Sequence, residues 1–293
     1  MSWRRRLTLA LPYLWLAIFF VLPFALVAKI SVAQVQVSVP PYTPLFDTQG
    51  HLQIDWANYK LLFSDTIYVK AYLGSLRIAA LSTVIALLIG YPLAYAVARS
   101  PARWRSILLL LLVAPFFTSF LVRIYAWIGL LRPTGIINAA FLSLGLIDEP
   151  LKLINTEAAA IFGIVYAYLP FMVLPLYARL DKLDVTLLEA AADLGATPWR
   201  AFWSITVPWS LPGIAAGCLL VFIPALGEFV IPELLGGPDT LMIGKIMWAE
   251  FFSNRDWPLS AAATVLLLGL LVVPIMALQT IAARAEGRAE DRA

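Results

Sequence analysis

The sequence predicts an all-α, polytopic membrane protein with six transmembrane helices. Three observations carry this prediction. Of 293 residues, 61% are apolar and only 13% are charged, whereas soluble domains carry roughly 25% charged residues. The uncharged residues gather into runs long enough for a bilayer core, which takes about 20 helical residues. The basic residues sit between these runs rather than within them. A water-soluble globule and a disordered chain are both excluded. So is a nucleic-acid binder, which would cluster its basic residues on one soluble face.

Taken in order, the uncharged runs cover residues 7–28, 78–98, 158–178, 201–227 and 257–283. A further run, 106–122, continues past Arg123 to residue 131 and supplies the third span. The first run follows Arg4–Arg6 and has 22 residues. Signal-peptide cores run about 7–15 residues, so it reads as a retained helix. Residues 133–147 are uncharged but short, open with Pro-Thr-Gly and contain Asn138. They read as an interfacial or re-entrant segment. Pro92, Pro115, Pro170, Pro175, Pro224 and Pro274 lie inside the spans. Each removes a backbone donor and tends to kink its helix.

With the N-terminus inside, the cytoplasmic segments hold 12 basic residues and the external segments 6, as the positive-inside rule requires. Both termini are then cytoplasmic, in a multi-pass membrane protein. The chain divides into a first span with its leading segment (1–33), an external loop (34–70), a five-helix core (71–283) and a charged tail (284–293). Prolines 40, 41 and 44 argue for extended structure in the external loop. Cys218 is the sole cysteine and His51 the sole histidine. An intramolecular disulfide and metal sites built on several Cys or His are thereby excluded.

The cytoplasmic loop 181–208 is the most informative stretch. Glu189-Ala190-Ala191 is followed after three residues by Gly195, and after nine more by Ile205-Thr206-Val207-Pro208. This predicts a short helix, a glycine break, a second amphipathic helix and a proline opening the next span. Thr186 and Glu189 have capping-box spacing, with Thr186 as N-cap. Gly195 suits the left-handed residue that ends a helix, and Pro208 suits a first helical turn. One residue at a time, the loop is also readable as a capped connector with no partner. As a set, the spacing resembles the E-A-A-x3-G-x9-I-x-L-P loop of permease subunits of bacterial ATP-binding-cassette importers, with Val207 in place of leucine. The resemblance implies the type I importer permease fold. It also implies that Glu189, Ala190, Ala191, Asp193, Gly195, Ile205 and Pro208 belong to a coupling helix that seats in a separate ATPase subunit. Gly244-Lys245 lacks the earlier glycine and the following Ser/Thr of a phosphate-binding loop. No cofactor is therefore expected on this chain, and ATP with Mg²⁺ is expected on the partner.

Ionisable residues at membrane depth are functional candidates. Glu228 and Arg123 fall at similar depths in the fifth and third spans. Two readings stand: an ion bridge between helices, or a carboxylate facing a pathway and attracting a cation. Glu233 and Asp239 follow Glu228, and Glu250 and Asp256 lie among Trp248, Phe251, Phe252 and Trp257. Carboxylates beside aromatic faces suit an organic ammonium ion; the competing reading is a solvated loop with interfacial tryptophans. Tyr91-Pro92-Leu93-Ala94, Thr118-Ser119-Phe120, Tyr125-Ala126-Trp127, residues 165–171 and residues 222–239 resemble polyamine importer permeases. Residues 40–43 and 251–258 lean to the putrescine branch. That resemblance implies a second permease subunit, an ATPase pair, a periplasmic substrate-binding protein and surrounding lipid as partners. From their charge, depth and aromatic neighbours, Glu228, Glu233, Asp239, Tyr168, Phe229 and Trp248 are the candidate path residues, with Arg123 as an intramembrane pairing candidate. Ferric ion, an oxyanion or an organophosphonate remains an alternative cargo, and a stand-alone channel or carrier an alternative class.

Overall fold

A computed structural model describes residues 3–46 and 50–290. Side chains are described for residues 10–46, 50–272, 275 and 276. The described residues form helices joined by turns and by two longer connections, between α2 and α3 and between α7 and α8. In chain order these are α1 (Trp3–Leu16), α2 (Leu22–Ser31), α3 (Ala57–Ser64), α4 (Thr66–Arg99), α5 (Ala102–Val113), α6 (Phe120–Leu131) and α7 (Ile136–Ser143). Then follow α8 (Glu157–Leu180), α9 (Val185–Asp193), α10 (Pro198–Ala201), α11 (Val207–Leu226), α12 (Val230–Leu234), α13 (Ile243–Trp248) and α14 (Trp257–Glu290).

Five helices among the described residues are long and apolar enough to cross a membrane: Ala10–Ser31, Thr66–Arg99, Phe120–Ser143, Glu157–Leu180 and Pro198–Leu226. The expected sixth span, 257–283, lies on α14. Its apolar stretch within the described side chains is the shorter Trp257–Val272. Its interior proline, Pro274, lies outside those side chains, as do Arg284, Arg288 and most of the tail.

The expected third span needs correction. It is not one helix from 106 to 131. The chain leaves α5 through a tight helical turn at Ala114–Phe117, becomes extended at Thr118, and restarts as α6 after Ser119. Pro115 is the physical cause, since it cannot donate to the carbonyl one turn back. The Thr118 hydroxyl and backbone N–H both return to the Pro115 carbonyl, at 2.8 and 3.2 Å. The segment at 133–147 contains α7, and the side chain of fully buried Asn138 ties it to the carbonyls of Arg132 and Leu151.

Two other prolines show a second solution to the same problem. A wide π-helical turn at Ala17–Val21 precedes Leu22-Pro23, and another at Phe202–Thr206 precedes Val207-Pro208. Widening the helix takes up the hydrogen bond that proline cannot make and relieves the clash of its ring. Helix α10 therefore runs into α11 without a break, and Pro208 lies within one long helix rather than opening a new one.

By contacts the chain divides into two units, residues 1–71 with 246–271, and residues 72–245 with 272–293. In the first unit, residues 10–26 are all exposed, including Trp15, Phe19 and Phe20. Residues 34–46 and 50–56 carry isolated bridges between Val35 and Tyr42 and between Phe46 and Leu52. Asp55 accepts from the Ala57 backbone (2.7 Å) and from Gln34 (2.6 Å), and these bonds hold its carboxyl below the usual range.

The second unit is built on α8, whose closest partner is α11. Thr156 caps α8 by accepting from the Ala159 backbone at 3.1 Å. Its buried face joins α4 and α11 in a core of Ala86, Ala94, Val165, Met172, Val173, Leu176, Leu180 and Val221. Gly213 and Gly217 let α11 approach so closely that a methyl group would meet the Pro175 carbonyl at 2.9 Å or the Met172 sulfur at 2.8 Å. Small residues at such crossings are how membrane helices gain van der Waals contact without a hydrophobic driving force.

Candidate functional site: an exposed loop and a buried carboxylate

The loop between α8 and α11 has most of its side chains exposed, with Leu183, Ala201 and Thr206 buried. Its first helix, α9, has no buried residue. The N-cap is Asp184, not Thr186 as the capping-box spacing suggests. The Asp184 carboxylate accepts from the Thr186 backbone at 3.0 Å, and that bond with one from the Thr186 side chain lowers its pKa. A carboxylate two residues upstream competes better for the free N–H groups of a helix start than a neutral hydroxyl does. Glu189 is consequently freed from capping and stands exposed with Ala190 and Asp193, while Ala191 is half-buried.

Gly195 ends α9 as the spacing predicts, with φ +79°. Its N–H donates to the Ala192 carbonyl at 2.8 Å, and the Ala196 N–H donates to Ala191 at 2.9 Å. This pair of bonds is a complete Schellman turn. Thr197 then caps α10 by accepting from the Arg200 backbone at 3.3 Å. Leu194 is 89% exposed and Trp199 is 70% exposed, and Leu187 and Trp203 are exposed with them. Ile205 is half-buried and Pro208 exposed. Leu187, Leu194, Trp199 and Trp203 thus form an exposed apolar group on this loop.

The intramembrane candidates separate into distinct roles. Glu228 is buried, 8% exposed, in the turn between α11 and α12. Its Oε1 accepts from the backbone N–H groups of Phe229 (3.1 Å), Val230 (3.0 Å) and Ile231 (3.4 Å). Its Oε2 accepts from the Tyr168 hydroxyl at 2.5 Å. The structure thus brings Tyr168, Glu228 and Phe229 together. It does not pair Glu228 with Arg123, which corrects the ion-bridge reading. The Arg123 guanidinium lies over the rings of Phe116 (5.3 Å) and Phe120 (5.8 Å). Its buried Nε finds no acceptor among the described residues. The break at Pro115 turns those rings toward Arg123, and sequence spacing alone could not show it.

A series of rings links the two charges. Phe116 packs edge-on against Phe171 at 5.4 Å, and Phe171 against Tyr168 at 6.1 Å. The turn carrying Glu228 is packed tightly from both sides. Gly163 of α8 faces Ile231 and Leu235, where a methyl group would come within 2.8 and 2.7 Å. The buried Ser75 hydroxyl accepts from the Ile243 backbone at 2.8 Å.

The remaining candidates have other partners. Glu233 forms an ion pair with Lys245 at 3.0 Å, so its charge is met within the protein and it is a poorer cation attractor than its sequence suggests. Asp239 lies exposed in the turn after α12. Trp248 belongs to the first unit, where its ring packs on Phe252 at 4.1 Å. There too Glu250 accepts from Tyr68 (2.9 Å) and Asn254 (2.8 Å). Asp256 caps α14 by accepting from the Leu259 backbone at 2.9 Å. Burial, reinforced by Glu250, raises the Asp256 pKa. Both acidic residues are thus tied into structure rather than left as free loop charges. Among the described residues no group of His, Cys, Asp and Glu could hold a metal ion.

Comparison with known proteins adds the following. The family described as "Binding-protein-dependent transport system inner membrane component" matches residues 86–286. The chain is 38% identical over 271 residues to the spermidine/putrescine transport system permease protein PotB of Haemophilus influenzae, covering 92% of this chain and 91% of that protein. To the PotB of Escherichia coli K12 it is 44% identical over 219 residues, covering 74% of this chain and 79% of that protein. Among solved structures, a bacterial alginate ABC transporter in complex with an alginate pentasaccharide-bound periplasmic protein matches with a TM-score of 0.72 at 18% identity. The match covers 96% of this chain and 94% of that one.

Proposed function

Because the chain belongs to the family of binding-protein-dependent transport system inner membrane components, we propose that it is one permease subunit of an ATP-driven importer that carries a polyamine, putrescine or spermidine, into the cell. The observation that carries the coupling half of this reading is the exposed α9 loop, with its glycine turn at the spacing of importer permeases. A separate ATPase pair would grip that surface and supply ATP with Mg²⁺, while this chain binds neither. A second permease subunit completes the passage, and a periplasmic binding protein delivers the cargo. Both termini face the cytoplasm, and the α9 loop lies on the same side.

The cargo is supported by the likeness to spermidine/putrescine permeases over most of the chain, and the chemistry at Glu228 is compatible with it. An ionised carboxylate accepts through about four lone-pair positions. Glu228 Oε2 takes one bond, from Tyr168, and has a lone pair left that an ammonium group could use. The rings of Tyr168, Phe171 and Phe116 then offer faces along which a second charge of the same polycation can rest.

Uptake of labelled putrescine and spermidine into cells with and without this subunit tests the cargo. Glu228→Gln should leave the complex assembled and lower uptake about tenfold, the scale of one charge-assisted hydrogen bond. Unchanged uptake in that variant would remove Glu228 from the path. Uptake of neither amine by the unaltered transporter would remove the polyamine reading.

A further inference from the structure

The passage out of α8 into the exposed loop is tied to a different helix pair by one side chain. Arg105, in the first turn of α5, extends a guanidinium group whose Nη1 donates to the Asp181 carboxylate at 2.5 Å. Asp181 is the residue that closes α8 and begins the α9 loop. The other arm of the fork, Nη2, donates to the carbonyls of Ala98 (3.0 Å) and Ser100 (3.4 Å) at the cytoplasmic end of α4. A planar, permanently charged fork holds a carboxylate and backbone carbonyls in one fixed geometry, which lysine's compact, rotatable ammonium does not impose. The carbonyl ends of α4 and α8 converge here, and the negative ends of two helix dipoles favour a cation between them. Sequence spacing gives no sign of this link, since the two partners stand 76 residues apart.

We infer that Arg105 is a positioning residue for energy coupling. It clamps the root of the α9 loop to the α4–α5 corner, so that displacement of the loop by the ATPase moves both helices as one body. The inference rests on the reading of the α9 loop as the ATPase contact, not on the identity of the cargo. Both side chains are 32% exposed, and the fork joins the root of the loop to a separate helix corner rather than bonding within one helix, a geometry suited to alignment.

The test uses the complete transporter with its ATPase. Spin labels are placed at Arg103→Cys and Lys182→Cys in a Cys218→Ser background, and the distance between them is read with and without ATP under conditions that block hydrolysis. The clamp predicts one narrow distance, the same in both states. Arg105→Gln or Asp181→Asn should broaden or shift that distance in the ATP-bound state. The double variant should do no more than the larger single, because both remove one link. Arg105→Lys should fall between, keeping the charge but not the fork. ATP consumed per solute imported should rise severalfold in the same variants while the ATPase subunit is recovered normally. Identical distances in parent and variants would overturn the inference, and so would a parent distance that changes with ATP. Uptake of putrescine and spermidine by the parent, measured in parallel, reports on the cargo alone.

Discussion

Gly195 shows how much one residue can be asked to report. Its φ of +79° lies where a side chain strains the backbone, yet a methyl group built there meets nothing within 4 Å. Alanine should therefore cost about 1 kcal/mol through conformation alone. Asparagine tolerates the left-handed region and should cost less. Hydrogen exchange at the Ala196 amide should rise about fivefold in Gly195→Ala and stay near the parent rate in Gly195→Asn. If Gly195→Asn keeps that amide protected yet loses the ATPase subunit, the loss belongs to the protein–protein contact. Asp184 offers a test by pH. Its folded pKa is lowered by accepting the Thr186 N–H, so its capping contribution is fully present above the carboxylate's unfolded pKa of about 4. The contribution fades as pH falls through the lowered folded value. Amide exchange at Thr186, corrected for intrinsic pH dependence, should therefore accelerate below about pH 4 in the parent and show no such step in Asp184→Asn.

At the scale of elements, two proline-bearing helices keep their course by opening into π turns, whereas the third expected span breaks at Pro115. The difference is one of local supply. After Pro115, the Thr118 hydroxyl and N–H both find the Pro115 carbonyl, and an extended residue costs little. Before Pro208, the N–H of Val207 reaches back to Phe202 and the helix continues. Crossing of α8 and α11 depends on Gly213 and Gly217. Gly217→Val would drive branched carbons into Met172 and should destabilise the protein by about 1–3 kcal/mol, read as a lower midpoint of thermal unfolding in purified complex. Ala216→Val, one residue away and half-buried, should shift that midpoint much less.

For the whole molecule, the family places the chain in the inner membrane as a multi-pass subunit, and five described helices are long and apolar enough to span it. Proteoliposomes containing this chain without an ATPase should show no concentrative uptake; activity in that preparation would support a stand-alone carrier instead. The proposed orientation places position 182 in the cytoplasm. A cysteine there should react with an impermeant reagent in inverted vesicles and stay protected in intact spheroplasts.

The all-helical class, the apolar spans and the loop with its glycine turn were legible in the chain itself, because hydropathy and left-handed turns depend on neighbours in sequence. Gly195 needed only its own conformational freedom to be recognised. What tertiary structure decided are the choices between competing partners. Glu228 and Arg123 share a depth, but backbone N–H groups and Tyr168 claimed the carboxylate while Phe116 and Phe120 took the guanidinium. Glu233 found Lys245, and Arg105 found Asp181 across 76 residues. A charged group is met by whatever the fold brings near it, hydrogen-bond donors for Glu228 and ring faces for Arg123, and that proximity exists only once the helices have packed.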